Sequence, residues 1–356
     1  MSAKYEQLAS ILRSEIGETL RRGGTRLDPE LTLAQRYHMS RQTVRHALQL
    51  LEEEGLIQRR QGSGCYLRIP GKETDVRQIA VVTSFLDDYI FPSILHDVQA
   101  GFSEAGYTTL VFATENMVNR EREILEKLLA APVSAILIEG SKTALPTPNE
   151  DLYKLLQAQG TPVLFLHGIY PNLQGFPCLQ DDNFAGGYLL GQYLISQGHR
   201  NIAGIFKSDD IQGPQRYFGL LTALRDGQCP LPEEHIFWYD SIDRAALVSG
   251  GPGDLLDRFL RQRLGEATAV VCYNDEIAQK LIKALLRQGK AVPGEVAVVS
   301  FDNSFYSQIG PIPITSLGHR DRRAGRTAAK ILLELLSGKS PTMTPLSWDL
   351  CRRQSG

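Results

Sequence analysis

The 356 residues predict an α/β protein in two unequal parts. A small N-terminal unit combines a helix-turn-helix with a β hairpin, and a larger region carries parallel sheets in two lobes. Two observations lead there. From Leu33 to Tyr66 the chain reads as helix, tight turn, helix and Gly-rich hairpin, the pattern of a winged helix-turn-helix. From Ile79 onward, apolar runs of strand length alternate with helical patterns, the signature of parallel strands joined by crossover helices.

The N-terminal elements follow from local signals. Tyr5 to Arg22 reads as a first helix that packs behind the others. Asp28, Pro29 and Glu30 read as N-cap, first-turn proline and first-turn acid of a helix running through Tyr37. His38 and Met39 form the turn, and Ser40 caps the next helix. There Val44, Ala47, Leu48 and Leu51 fall at i, i+3, i+4 and i+7 and share a buried face, which leaves Arg41, Gln42, Arg45 and Gln49 outside. Gly55 ends that helix. Leu56 to Leu67 alternates as a hairpin with Arg59, Arg60, Gln61, Gly62, Ser63 and Gly64 at its tip, where glycine permits close backbone approach. Arg and Gln match the edges of guanine and adenine, and the Ser40 and Thr43 hydroxyls can reach phosphate oxygens. The same pattern also fits a helical bundle with a solvated basic face.

Charge is divided in the same sense. The net charge is −2, yet residues 1–70 hold 11 Lys plus Arg against 8 Asp plus Glu, or +3, which leaves −5 for the remainder. No apolar run approaches the roughly 18–20 residues of a membrane span, and the first helix is polar and amphipathic rather than a signal sequence, so a cytoplasmic protein is expected. Cys65, Cys178, Cys229, Cys272 and Cys351 are odd in number and dispersed, and read as reduced thiols rather than metal ligands. No cofactor is expected. The stretch 68–78, with Pro, Gly and charge, reads as a linker between residues 1–67 and 79–356.

Strands are predicted at Ile79–Phe85, Thr108–Ala113, Ala135–Ile138, Pro162–Leu166, Cys178–Gln180, Ile202–Phe206, His235–Trp238, Ala269–Tyr273 and Val296–Phe301. Nine such strands exceed one ordinary sheet, hence two lobes with a cleft between them. Open parallel sheets bind ligands beyond the carboxyl ends of their strands. The residues there are Asp87, Asp88, Tyr89, Phe91, Glu139, His167, Asp181, Asp182, Lys207, Asp209, Asp210, Arg216, Asn274, Asp275, Asp302 and Asn303. Carboxylates, amides and an arginine suit adjacent hydroxyls of a small polyhydroxylated ligand, and Tyr89, Phe91 or Phe206 could cover its apolar face. Asp182, Asp210 and Asp275 are expected to cap helices instead. Lys207 as a Schiff-base lysine and Asp209 with Asp210 as acid and base would be an enzyme's reading. No nucleophile elbow, phosphate loop or metal spacing accompanies them, so no enzyme is expected.

Residues 1–67 resemble the GntR family of winged helix regulators, through Ser40, Arg41, Thr43, Val44, Arg45 and Ala47 and through Glu54, Gly55, Leu56, Gln61, Gly62 and Gly64. The resemblance implies DNA contacts from Glu30, Arg41, Gln42, Arg45, Gln61 and Gly62, with Lys4 near the backbone. Residues 79 to about 350 resemble the effector domain of LacI/GalR regulators, which have the two-lobed periplasmic sugar-binding fold. That likeness rests on Asp182 to Gly187, Gly198 to Ile202, Arg216 with Gly219, Asn274-Asp275-Glu276, Val292-Pro293, Val298 to Asp302 and Leu317. The fusion as a whole is similar to the AraR-type arabinose repressors, through Tyr89 to Ile94, Gly204 to Lys207, Asp209-Asp210, Gln212-Gly213 and Cys272 to Ala278. It implies effector contacts from Arg216, Asn274 and Asp302, with Tyr89, Glu139, Lys207 and His319 completing the pocket. The expectation is a homodimeric repressor that binds a near-palindromic operator and is released by a small sugar, L-arabinose by resemblance. Another pentose or a nucleoside as effector is the alternative, and a sugar-uptake binding protein is the rival from a different class. Ile94, Leu95, Val98 and Phe102 fit either a dimer surface or ordinary core.

Overall fold

The computed structural model of the protein describes residues 4–21, 26–53, 56–60, 64–67, 76–86, 90–230, 233–249, 255–319 and 324–356. Gly55, Gln61, Gly62, Ser63, Asp87, Asp88, Tyr89 and most of the expected linker lie outside the described residues.

The N-terminal unit holds α1 (Lys4–Arg21), α2 (Glu30–Arg36), α3 (Arg41–Glu53) and the antiparallel strands β1 (Ile57–Arg60) and β2 (Gly64–Leu67). The buried face of α3 is Val44, Ala47, Leu48 and Leu51, which pack on Leu8, Leu12 and Leu33 from the other two helices. Ser40 caps α3 by accepting from the Thr43 amide at 3.1 Å. Asp28 does not cap α2. Pro29 is extended (φ −58°, ψ 151°) and itself occupies the N-cap, which leaves Asp28 a residue too early; its carboxylate faces Arg36 at 3.4 Å. Tyr37 is the C-cap of α2, and its hydroxyl, with Arg36, binds Glu15 of α1.

The first lobe alternates β3 (Gln78–Thr83), α4 (Phe91–Glu104), β4 (Thr108–Ala113), α5 (Val118–Ala130), β5 (Ala135–Ile138), α6 (Glu150–Ala158), β6 (Val163–Leu166) and β7 (Cys178–Leu179). Its parallel sheet has the order β4-β3-β5-β6-β7. The second lobe continues with α7 (Asn183–Ser196), β8 (Ile202–Lys207), α8 (Gln212–Asp226), β9 (Ile236–Tyr239), α9 (Ser241–Ser249), α10 (Leu255–Gln262), β10 (Ala269–Cys272), α11 (Asp275–Arg287), β11 (Ala297–Phe301) and β12 (Thr315–Gly318). The chain then returns to the first lobe for α12 (Ala324–Leu336), which packs on α4, and ends in the second lobe with β13 (Asp349–Cys351). That sheet has the order β13-β12-β11-β10-β8-β9. The crossings are tied together: the Asp182 amide donates to the Leu346 carbonyl and the Leu346 amide to that of Gln180, both at 2.9 Å.

The nine expected strands all form, with ends shifted by up to two residues. β12 and β13 were not expected. Thr315 and Ser316 in β12 are buried yet polar, with hydroxyls bound to Gly356 and Asp275, so no apolar run marks the strand. Ile94, Val98 and Phe102 are core, buried against Ala328, Ala329 and Leu332 of α12, which places them inside the lobe rather than on a dimer surface.

Helices α7 and α8 meet at glycines. A methyl group on Gly187 would overlap the Arg216 carbonyl, and one on Gly219 the Phe184 carbonyl. Backbone cannot yield as a side chain does. Gly219→Ala is therefore expected to cost about 1–3 kcal/mol in chemical denaturation, whereas Gly175→Ala, with open space around it, should stay near the parent.

Candidate functional site

On the N-terminal unit, Lys4, Arg41, Gln42 and Arg45 are exposed. Arg45 Nη2 lies 3.4 Å from Glu30 Oε2, so α2 supplies an acid that orients the arginine projecting from α3. The Ser40 and Thr43 hydroxyls bond each other at 2.8 Å beside the first turn of α3. Exposed arginine and amide side chains on one helix, next to a helix N-terminus with polar hydroxyls, form a surface suited to phosphates and base edges.

The larger site is a cavity of about 420 Å³ between the lobes. It is within the usual size for small-molecule pockets, roughly 300–1,000 Å³. Phe91, Glu139, His167, Lys207, Arg216, Asn274, Asp302 and His319 all line it. The carboxyl ends of β5, β6, β8, β10, β11 and β12 supply six of these eight, and Phe91 and Arg216 come from α4 and α8. Phe206 does not belong to it: consecutive strand residues face opposite ways. Lys207 takes the cavity side, while Phe206 packs fully buried against Tyr217 and Trp238.

Among the described residues, each cation lining the cavity stands beside a carboxylate. Lys207 is 4% exposed, and its ammonium binds Asp210 and lies 3.4 Å from Asp209. Burial alone would lower its pKa, but the two acids outweigh that and raise it, which favours the charged ammonium. Arg216, 1% exposed, donates from Nε to Asn183 Oδ1 at 2.9 Å and from Nη1 to the Tyr273 carbonyl, with Asp302 at 3.6 Å. Its guanidinium lies over Phe301, Tyr273 and Trp348, 4.2, 4.9 and 5.6 Å from their ring centres. His319 bonds Asp181 at 2.9 Å and the Ser347 carbonyl at 2.7 Å, and stacks on Trp348 at 4.3 Å. Arg244 pairs with Glu276 at 3.2 Å and covers Phe85 of the opposite lobe at 4.6 Å.

Of the expected cappers only Asp182 caps, accepting from the Ala185 amide at 3.0 Å. Asp210 instead bridges Lys207 and Asn116. Asn274 is the cap of α11, with Oδ1 3.0 Å from the Ile277 amide, which displaces Asp275 into the interior. There Asp275 accepts from Ser300, Ser316 and Ser304, holding the turn that presents Asp302 in a left-handed conformation, φ 96°. Burial and neighbouring Asp302 push its carboxyl up to about 7 against those bonds. Arg244 and Trp348 are lining residues that the strand-end argument missed. Reading onward from Tyr239, the last residue of β9, would have reached Arg244; Trp348 sits on the final crossing and has no local signal.

Glu139 and His167 share a short bond, Nδ1 to Oε1 at 2.6 Å, and Glu139 also accepts from Thr83 and the Ser84 amide. Burial opposes ionisation of both. The bonds prevail, so Glu139 falls below its usual value and His167 is pushed up to about 9. The raised histidine contributes stability fully below its ordinary 6.5 and loses it as pH rises through 9; the lowered glutamate contributes above 4.5 and loses it in acid. His167→Gln should therefore cost roughly 1.5–3 kcal/mol near pH 6, and thermal melts from pH 5 to 9.5 should show the gap to the parent closing above pH 6.5.

Residues 4–67 match the bacterial regulatory proteins of the gntR family, and residues 192–355 match the periplasmic binding protein-like domain. The arabinose metabolism transcriptional repressor of Geobacillus stearothermophilus is 33% identical over 340 residues, 95% of this chain and 92% of that protein. The protein of the same description from Halalkalibacterium halodurans is 32% identical over 342 residues, 94% and 90% of the two chains. Among solved structures, the transcription regulator CcpA of Lactococcus lactis superposes with a TM-score of 0.67 at 24% identity, covering 79% of this chain and 99% of that one, a likeness of fold. The chain belongs to the family of the arabinose metabolism transcriptional repressors, in which a gntR-type helix-turn-helix precedes a periplasmic binding protein-like domain.

Proposed function

We propose that the protein is a homodimeric transcriptional repressor in which residues 1–67 bind a near-palindromic operator, 68–78 form a linker, and 79–356 bind L-arabinose and dimerise. It acts in the cytoplasm, where operator and sugar meet. One observation carries the effector reading: Lys207, Arg216, His167, His319 and Arg244 each already face a carboxylate. Among the described residues the cavity's cations are matched internally, with none in surplus for a phosphate, and the remaining donors and acceptors suit the hydroxyls of a neutral sugar. Phe91 and Trp348 add apolar surface to its lining. Sequence likeness to arabinose repressors supports the choice of pentose.

A dimer with one reader per half-site is the pairing that a two-fold axis makes on a palindrome. Sugar releases the operator only if it binds one lobe arrangement better than the other, and a preference of about 1–3 kcal/mol is sufficient for useful coupling. Release follows from lost simultaneous engagement of both half-sites.

Calorimetry with L-arabinose, D-xylose, D-ribose and a nucleoside tests the effector. Arabinose should bind most tightly; a nucleoside doing so would overturn the assignment. Arg216→Ala should keep operator binding in gel-shift titrations yet lose its response to sugar. Arg45→Ala should weaken operator binding by roughly 1–3 kcal/mol and relax one base position, with the sugar isotherm unchanged.

A further inference from the structure

The lobes touch at a place far from the chain crossings. β7 and β12 with β13 lie at the sheet edges where the chain passes between lobes, and β4 and β9 are the strands at the opposite edges. Asn116 follows β4 and is fully buried. Its side-chain amide reaches into the second lobe, donating to Asp210 Oδ1 at 3.1 Å and to Ser241 Oγ, at the start of α9, at 2.6 Å. Its carbonyl oxygen accepts from the Lys142 amide at 2.7 Å, which fixes the amide's orientation. Two further bonds cross nearby: the Ala144 amide to the Asp209 carbonyl and the Ile211 amide to Thr143 Oγ1, both 3.1 Å.

Asp210 links this contact to the cavity. One of its oxygens accepts from Asn116, and the other holds the ammonium of Lys207. We propose that Asn116, Asp210 and Ser241 form an interlobe latch, and that Asp210 is a positioning residue that presents Lys207 to the ligand only while the lobes are closed. This rests on the reading of the cleft as the effector site. Opening about the crossings displaces the distal edge most, so these bonds break first. Once they do, Asp210 loses one of its two fixed partners and no longer defines where the lysine sits. The strength of the latch then sets the closed fraction of the sugar-free protein, and the sugar adds its own preference to that equilibrium.

Hydrogen–deuterium exchange on the full chain tests this without sugar. Ser241→Ala removes a second-lobe hydroxyl that meets the first-lobe residues 140–146 through Asn116, and it keeps the Ser241 amide's separate bond to Asp209, whose carbonyl accepts from the Ala144 amide. With the net worth of one hydrogen bond as a guide, exchange in that first-lobe peptide should rise about 3- to 10-fold and arabinose affinity fall by a similar factor. Operator affinity without sugar should hold, and Ser241→Thr, which keeps the hydroxyl, should restore both. Asp210→Asn should weaken sugar binding further, because Lys207 also loses its acid. Parent-like exchange in residues 140–146 of Ser241→Ala would overturn the latch whatever the sugar data show. Faster exchange there, in a protein whose parent form binds no arabinose, would uphold the latch and overturn the effector assignment instead.

Discussion

Arg216 is the group around which the second lobe is organised. A guanidinium removed from water costs several kcal/mol unless every donor is met and its charge is offset. Here three elements meet it together: Asn183 from the first turn of α7, the Tyr273 carbonyl from the end of β10, and Asp302 from the end of β11. The aromatic faces of Phe301, Tyr273 and Trp348 enclose it further, and Trp348 belongs to the last crossing between lobes. Its own backbone leaves no room for a side chain at Gly187, which explains the close approach of α7 and α8. The residue is at once a packing centre, a cavity wall and a neighbour of the hinge.

The same logic of matched charge extends across the cleft. His167 with Glu139 closes the first-lobe side, Lys207 with Asp210 closes the second, and His319 at the end of β12 meets Asp181 at the end of β7 between them. Such pairs are costly to break singly, so with the lobes closed a ligand meets a preformed polar surface. Around this surface the protein places contacts that depend on lobe position. Arg244 lies over Phe85 across the cleft mouth, and Asn116 spans to Asp210 and Ser241 at the distal edge. Rigidity within each lobe and weak, breakable contacts between them are the ingredients of a two-state switch.

Much of this was legible in the chain. Val44, Ala47, Leu48 and Leu51 announced the inner face of α3, and Ser40 its start, because a helical period and a cap are local properties. Apolar runs located nine strands of the two larger sheets, and most of the cavity's polar residues stand just beyond them. Errors arose where neighbours in sequence divide between two environments. Phe206 and Lys207 are adjacent and face opposite sides; Asn274 and Asp275 are adjacent, and the amide caps the helix while the acid is buried among serines.

The sequence by itself determined the two-part architecture, the periodic faces of the helices and the pool of strand-end residues from which a site could be drawn, since each depends on residues a few positions apart. Only the tertiary structure decided which members of that pool converge. Trp348 reaches Arg216 from more than a hundred residues away, Asn116 meets Ser241, and Asp275 supports Asp302 through serines of β11, of β12 and of the turn after β11. Those meetings come from three crossings between lobes and from the direction each side chain takes off its strand. Neither is encoded in any local pattern.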